Sequence, residues 1–551
     1  MRVIAITSNI FPSLFSYVGT NAPPNRARHE GLRKPRQEWR IFKAGLKVIM
    51  YRNGPSQIPT ASIIHSSTAV DGIHAILRTN SKEAPLDAPS DSIERDATPP
   101  ISRLPPELLG DIMTHSVDAD EYAATDTVMD KPPFKFLLVN RQWQMSAISN
   151  PNLWAIISIA LKTSPQERSK IAVEKVRAVV DVWLRRSGSL PLTILLVVRG
   201  RSDEPPFDPV MDILLHQSWR WKILKCDLPI PCVVRILETI DRGEATQLVG
   251  FDVAVNAKVR HGPWCPESPF QFSNTPRLSR FSLSRIIPRF RFGGTVESLR
   301  SLDLSGSGVS SLEFKNCIKY CARLKELAAF LVSNDEPFAV ADYGSITHTQ
   351  LQEFTIRAFV FDPGPILDFL ILPALRSLAI ATHSDTNQGW PHLQSLLVRS
   401  QPRLEALKLV GTTLTESELL NSLRLVPHLN RLELIRVAVS HRTIGELTPG
   451  PLSARPSCGN VCLCPNIKSL YIDVSRVSVA PIRELLVRRY EWCLDDADGS
   501  DGPTRMGCAR LADVCLDNIC WDMACLKEDQ AVTECMRRGL QLYDSCLALG
   551  H

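Results

Sequence analysis

Apolar residues recur through the second half of the chain in one spacing, Leu-x-x-Leu-x-Leu, with other apolar side chains substituting. Copies stand at Leu278-Phe281-Leu283, Leu299-Leu302-Leu304, Leu351-Phe354-Ile356 and Leu375-Leu378-Ile380. Further copies stand at Leu404-Leu407-Leu409, Leu429-Leu432-Leu434 and Ile467-Leu470-Ile472, with a weaker one at Leu324-Leu327-Ala329. The last two apolar residues of each copy are two apart, so they share one side of a strand while the residue between them takes the other. Five copies carry proline two positions before their first apolar residue: Pro276, Pro373, Pro402, Pro427 and Pro465. Proline cannot continue a helix, so it ends each returning segment just before the next strand. Leucines at helical steps over 368–372, 392–399 and 416–425 predict helical returns.

The starts of the copies lie 21, 25, 27, 24, 29, 25 and 38 residues apart, which for most steps is the period of leucine-rich repeats. No single repeat can cover its inward stripe, whereas stacked neighbours bury it continuously and align their strands into a parallel sheet. The predicted fold class is therefore α/β, a curved repeat solenoid over 276–490. Asp303, Lys408 and Glu433, each between two inward positions, should line its concave sheet face, where a target protein would bind.

Residues 159–275 read as irregular α/β repeats capping the array, with a separate small α/β domain as the alternative. The pattern there predicts a helix over 173–184, a stop at Ser187-Gly188-Ser189 and a buried strand over 192–198. Further strands are predicted around Trp219-Arg220-Trp221-Lys222-Ile223 and at Leu248 to Val253, the alternating tryptophans serving packing. Past residue 490, Asp495, Asp496, Asp498 and Asp501 make an acidic loop, and 509–549 reads as a helical cap closing the segment 491–551.

Upstream, Leu104-Pro105-Pro106-Glu107-Leu108-Leu109 opens a short amphipathic helix, with prolines in the first turn and Leu108, Leu109, Ile112 and Met113 on one face. A second helix is predicted over 136–148, where Phe136, Val139, Trp143 and Ala147 recur at three- and four-residue steps. Asn150-Pro151 stops it, and Leu153-Trp154 leads into an apolar run over 155–161 that suits a strand or buried segment.

These three pieces, Leu104-Pro105-x-Glu107-Leu108-Leu109-x-x-Ile112, Leu138-Val139-Asn140-Arg141-Gln142-Trp143 and Asn150-Pro151-x-Leu153-Trp154, resemble the F-box motif. The resemblance covers residues 100–158 and implies a small all-α unit that docks into a Skp-type adaptor and, through it, a cullin scaffold. It assigns Leu104, Pro105, Leu108, Leu109, Ile112, Met113, Val139 and Trp143 to adaptor contacts or the core beneath them. With the repeats, the whole is similar to the leucine-rich-repeat F-box proteins. A substrate receptor of a ubiquitin ligase is the function implied, and a repeat scaffold with an F-box-like cap is the alternative.

Composition then narrows the classes. The 551 residues are 44% hydrophobic and 22% charged, enough apolar surface for packed cores. Apolar runs such as Ile194 to Val198 are short, none exceeding six residues, too short for a membrane span. Residues 1–55 carry ten Lys/Arg against Glu30 and Glu38, so the formal charge of +5 belongs to a basic arm and the remainder is near −3. No basic stripe covers the folded part, which argues against nucleic acid. Residues 1–99, rich in Pro and Ser after the basic arm, read as a disordered tail, a transit peptide over 26–52 being the alternative. The prolines of this tail and of the repeat boundaries account for 40 prolines against 27 glycines. Fifteen cysteines in a long chain fit reduced thiols in cytosol or nucleus.

Catalytic signatures for nucleotide binding, serine hydrolysis and zinc proteolysis are absent, and Gly306-Ser307-Gly308 reads as a turn after a repeat strand. Cys458, Cys462, Cys464, Cys493 and Cys508 do not form paired Cys-x-x-Cys ligand sets. No enzyme activity, metal or cofactor is therefore predicted. A thiol enzyme with His441 as partner is the rival from the enzyme class.

Overall fold

The computed structural model describes residues 104–117, 133–162, 170–199, 208–255, 265–333, 344–383, 389–437, 439–450, 462–491, 508–517 and 523–544, all within one unit, Asp91–His551. The tail over 1–99, the loop from Asp495 to Asp501, Cys458 and Cys493 lie outside the described residues.

Among the described residues the first elements are helices α1 (Pro106–Ser116), α2 (Phe134–Leu137), α3 (Arg141–Ser149) and α4 (Pro151–Trp154). The single helix expected over 136–148 is two, because Asn140 takes extended backbone and its side chain accepts from Trp143 N at 2.9 Å. That bond satisfies an otherwise orphan N–H, so a new helix starts there.

Among the described residues, fourteen strands then form one open, wholly parallel sheet whose order follows the chain. They are β1 (Ile156–Lys162), β2 (Leu192–Arg199), β3 (Trp221–Leu228), β4 (Gly250–Val255), β6 (Arg280–Ser284), β8 (Ser301–Ser310) and β9 (Glu326–Ser333), followed by β11 (Glu353–Ala358), β13 (Ser377–Thr382), β14 (Ala406–Val410), β15 (Arg431–Ile435), β16 (Ser469–Asp473), β17 (Asp513–Asp517) and β18 (Gln541–Asp544). Two small parallel pairs lie on the returns, β5 (Phe270–Gln271) with β7 (Phe290–Arg291) and β10 (Ile346–Thr347) with β12 (Leu370–Ile371). Strands β1 to β4 pair continuously into the main sheet rather than forming a sheet of their own.

Each inward stripe is buried: Leu378 and Ile380, Leu407 and Leu409, and Leu432 and Leu434 are almost wholly excluded from solvent. The first apolar residue of every copy, from Leu278 to Ile467, is buried beside them. The residue after it donates its N–H to the preceding repeat, as in Arg376 N to Gln352 O (2.8 Å), Glu405 N to Arg376 O (2.7 Å), Asn430 N to Glu405 O (2.8 Å) and Lys468 N to Asn430 O (2.8 Å). This ladder stitches the turns together one step ahead of the strands. The five boundary prolines stand four residues before strands β6, β13, β14, β15 and β16.

Four further expectations are corrected. The segment 509–549 is no helical cap: Val514 and Leu516 of β17 and Leu542 of β18 extend the sheet, with helices Met523–Glu528 and Gln530–Arg537 between them. The helix near 368–372 lies one turn earlier, at Gly364–Asp368, because Pro365 sits in a first turn where its missing N–H costs nothing. Gly306 and Gly308 lie inside β8 at a register shift, and a Cβ on Gly308 would meet Val332 Cγ1 at 2.7 Å, so these glycines permit close strand approach. Trp219 lies in a 3-10 turn, Ser218–Arg220, and is exposed, whereas Trp221 opens β3 and is buried.

Candidate interaction surfaces

The helical unit has a defined interior. Leu109, Met113, Phe136, Trp143 and Ala147 are buried, and Phe136 meets Trp143 with ring centroids 5.8 Å apart. Gln142 Nε2 donates to Leu104 O (3.1 Å) at one end of the α1/α3 pair, and Asn150 Nδ2 donates to Gly110 O and Thr114 Oγ1 (both 3.0 Å) at the other. Three residues assigned to adaptor contact, Leu109, Met113 and Trp143, are therefore core, because the helix face they share turns towards α3 or α1.

The remaining assigned residues divide by exposure. Leu108 is 51% and Val139 40% exposed, Pro105 is exposed, and Leu104 and Ile112 are half-buried. The structure adds Leu138, 67% exposed, and Met145, 51% exposed. Leu138 stands in the second motif but lacks the helical step that drew attention to Val139, since it lies in the turn before Asn140. The Gln142–Leu104 bond brings the start of α3 beside the start of α1, so Leu108 and the Leu138-Val139 turn lie at the same end of the pair. Large apolar side chains displayed this way on a small unit are a feature of binding surfaces.

This unit is tied to the sheet by aromatic contacts. Phe134 packs edge-on against Trp154 (5.6 Å) and against Trp183 (5.0 Å) of helix Lys170–Arg186. Arg186 covers the Trp154 ring at 4.8 Å, and Trp154 Nε1 donates to Ala147 O (2.7 Å). Burial, followed by the charge of Arg185, lowers the pKa of Arg186 from its ordinary value.

The second surface is the sheet face opposite the buried stripes. One register row crosses it through Lys225, Asp252, Ser282, Asp303, Lys408, Glu433 and Tyr471. Asp303, Lys408 and Glu433 all fall on this row, but they are not equally available. Glu433 is only 10% exposed at its side chain and is gripped by Lys408 Nζ (2.5 Å), Arg431 Nε (2.7 Å) and Arg431 Nη2 (2.6 Å). Burial pushes its carboxyl up, and Lys408 with Arg431 more than reverses this, leaving it below the usual carboxylate range. Glu433 is thus an internal partner of the row rather than a contact for a target. Asp303 accepts from Ser305 N (2.9 Å) and Ser305 Oγ (2.6 Å) and is half-buried, and Lys408 keeps about half its side chain in water. Asp252, two strands from Asp303, has its carboxyl held above the ordinary value by burial, with Asp303 adding to the rise and Ser282 and Lys225 opposing it. The outward row also presents the exposed Tyr543 on β18, a strand that lacks the Leu-x-x-Leu-x-Leu spacing of the repeat copies.

Among the described residues no group of three His, Cys, Asp or Glu side chains could hold a metal ion, and no helix is long and apolar enough to cross a membrane. His441 Nε2 lies 3.0 Å from Ser478 Oγ, which fixes it near a hydroxyl. Comparison of the sequence with protein-family models and with curated proteins finds no match in either.

Proposed function

We propose that this protein is the substrate-recruiting receptor of a cullin-based, SCF-type ubiquitin ligase, an F-box-like helical unit followed by a leucine-rich-repeat solenoid. The observation that carries the reading is the division of the helical unit into a packed interior around Leu109, Met113 and Trp143 and an uncovered apolar end at Leu108, Leu138 and Val139. Such an end fits a Skp-type adaptor, which in turn binds the cullin. Strictly sequential parallel strands and buried Leu-x-x-Leu-x-Leu stripes support the repeat solenoid. Its outward row, with Lys408 and the exposed Tyr543, is the surface offered to a target protein. The mechanism is proximity: holding a target and the ligase machinery on one molecule raises their effective concentration, with no catalytic group supplied by this chain. The aromatic bridge from Phe134 to Trp183 serves that role by fixing one surface relative to the other.

Co-expression of the full chain with a Skp-type adaptor tests the reading. Wild type should co-purify with the adaptor and the double variant Leu108→Asp/Val139→Asp should not, with unchanged circular dichroism. A wild type that never retains the adaptor refutes the receptor role and leaves a repeat scaffold.

A further inference from the structure

Near the end of the sheet, the sulfurs of Cys462, just before β16, and Cys508, just before β17, lie 2.9 Å apart although the residues are 46 positions apart. Neither is in a disulfide. Arg489, on helix Val479–Glu491, is buried beside them. Its Nε and Nη2 donate to Leu447 O (3.0 and 2.9 Å), and Nη2 also reaches Leu463 O (3.1 Å), Cys464 O (3.2 Å) and Cys462 Sγ (3.6 Å). A guanidinium anchored to three carbonyls is thus held against one particular thiol.

A cavity of about 720 Å³ opens onto the same place, with Cys462 and Cys464 in its wall and Arg424, Arg442 and Thr448 around it. Arg424 is paired with Glu446 (3.3 Å), while Arg442 has no ion pair among the described residues. The two cysteines of the wall differ. Burial pushes the Cys464 thiol up to about 12, and its Sγ faces Leu423 O and Val426 O. The hydrogen bond with Cys508, together with Arg489 and against burial, lowers the Cys462 thiol below its ordinary value. A thiolate is the nucleophile in disulfide exchange, so Cys462 is the reactive member of the wall.

We propose that Cys462 and Cys508 are a thiol-disulfide modification site for anionic low-molecular-weight disulfides of the glutathione class, admitted through this cavity with Arg442 recognising a carboxylate. The Cys462 thiolate attacks one sulfur of oxidised glutathione, the glutathione S–S bond breaks, and one glutathione thiolate leaves. Cys508, giving up its proton, then attacks the Cys462 sulfur and expels the second glutathione thiolate. Two electrons and two protons pass from the protein thiols to yield two reduced glutathione molecules and one protein disulfide. That bond closes a chain loop containing β16 and helix Val479–Glu491, so it fastens β17 to the body of the sheet. The inference does not depend on the receptor reading.

The test treats the folded full chain with oxidised glutathione, blocks remaining thiols by alkylation and maps the peptides by mass spectrometry. The expected product links Cys462 to Cys508, and in Cys508→Ser a glutathione adduct accumulates on Cys462 while Cys464 stays unmodified. Linkage of Cys462 to another cysteine, adduct on Cys464, or Cys462 left reduced in wild type would overturn the proposal, and the wild-type result stands whether or not the variant folds. Arg442→Ala should slow adduct formation several-fold with oxidised glutathione but not with neutral hydroxyethyl disulfide. Equal rates of wild type and Arg442→Ala with oxidised glutathione would overturn the assigned ligand class.

Discussion

Replacing Glu433 with Gln removes the charge but keeps the shape of a side chain that accepts three bonds from two cations on the outward row. A hydrogen bond to a charged group contributes about 1.5–3 kcal/mol when buried, but an exposed ion pair contributes only about 0.2–1 kcal/mol. Glu433 is nearly buried while the Lys408 and Arg431 side chains are 47% and 60% exposed, so both cations can hydrate once the carboxylate is gone. Two partly screened pairs, with one bond retained by the amide oxygen, give an expected loss of about 1–2 kcal/mol at pH 7. The folded carboxyl lies below its ordinary value, so its contribution is present above the unfolded value of about 4.3 and disappears as pH falls through the lower folded one. Asp252, on the same row, behaves oppositely. Its raised carboxyl makes the ionised form a cost that grows as pH rises through the folded value, so Asp252→Asn should be at least as stable as wild type at pH 7. Urea unfolding followed by tryptophan fluorescence at pH 7 and at stepwise lower pH measures both. A Glu433→Gln variant as stable as wild type at pH 7, or a deficit that does not shrink on acidification, would refute the assignment of Glu433 as the row's internal anchor.

Other substitutions probe the remaining links. Leu109→Ala should cost about 2–5 kcal/mol of helical-unit stability because its side chain is wholly buried, whereas Leu108→Ala should cost little; thermal unfolding of the two variants separates them. A double-mutant cycle with Phe134→Leu and Trp183→Leu should return a coupling of about 0.5–1.5 kcal/mol, and a coupling of zero would remove the aromatic bridge between helical unit and sheet. At the helix Glu416–Arg424, Thr415 and Glu418 form a capping box, and Glu418 also accepts from Trp390 N (3.0 Å) on the preceding return. Thr415→Ala should therefore lower stability by about 0.5–2 kcal/mol, and Glu418→Ala by more, since it also leaves the Trp390 N–H without its acceptor, as read by chemical denaturation.

The repeat core could be read from the chain because its rule is local: Leu378 and Ile380 share a face whatever surrounds them, and Pro373 must stand outside any helix interior. The same spacing recurs at Leu511-Val514-Leu516 in β17, but cysteine and aspartate around it mask the stripe. Exposure of individual site residues was not legible. Leu108 and Leu109 are adjacent and chemically identical, and only the docking of α3 against α1 decides which is core. Glu433 resembled a free surface charge until the register placed Lys408 opposite it and Arg431 two residues before it on the same strand. The approach of Cys462 to Cys508 depends on how β16 and β17 stack, which no spacing between the two residues encodes.

The proposed adaptor docking predicts that the uncovered end of the helical unit binds a Skp-type adaptor. Calorimetric titration of the purified full chain with purified adaptor addresses it directly. Saturable one-to-one binding, lost in Leu108→Asp/Val139→Asp and retained in Lys408→Ala on the outward row, is the predicted result. Absence of binding by wild type, or binding untouched by the double variant, would rule out adaptor docking through this end.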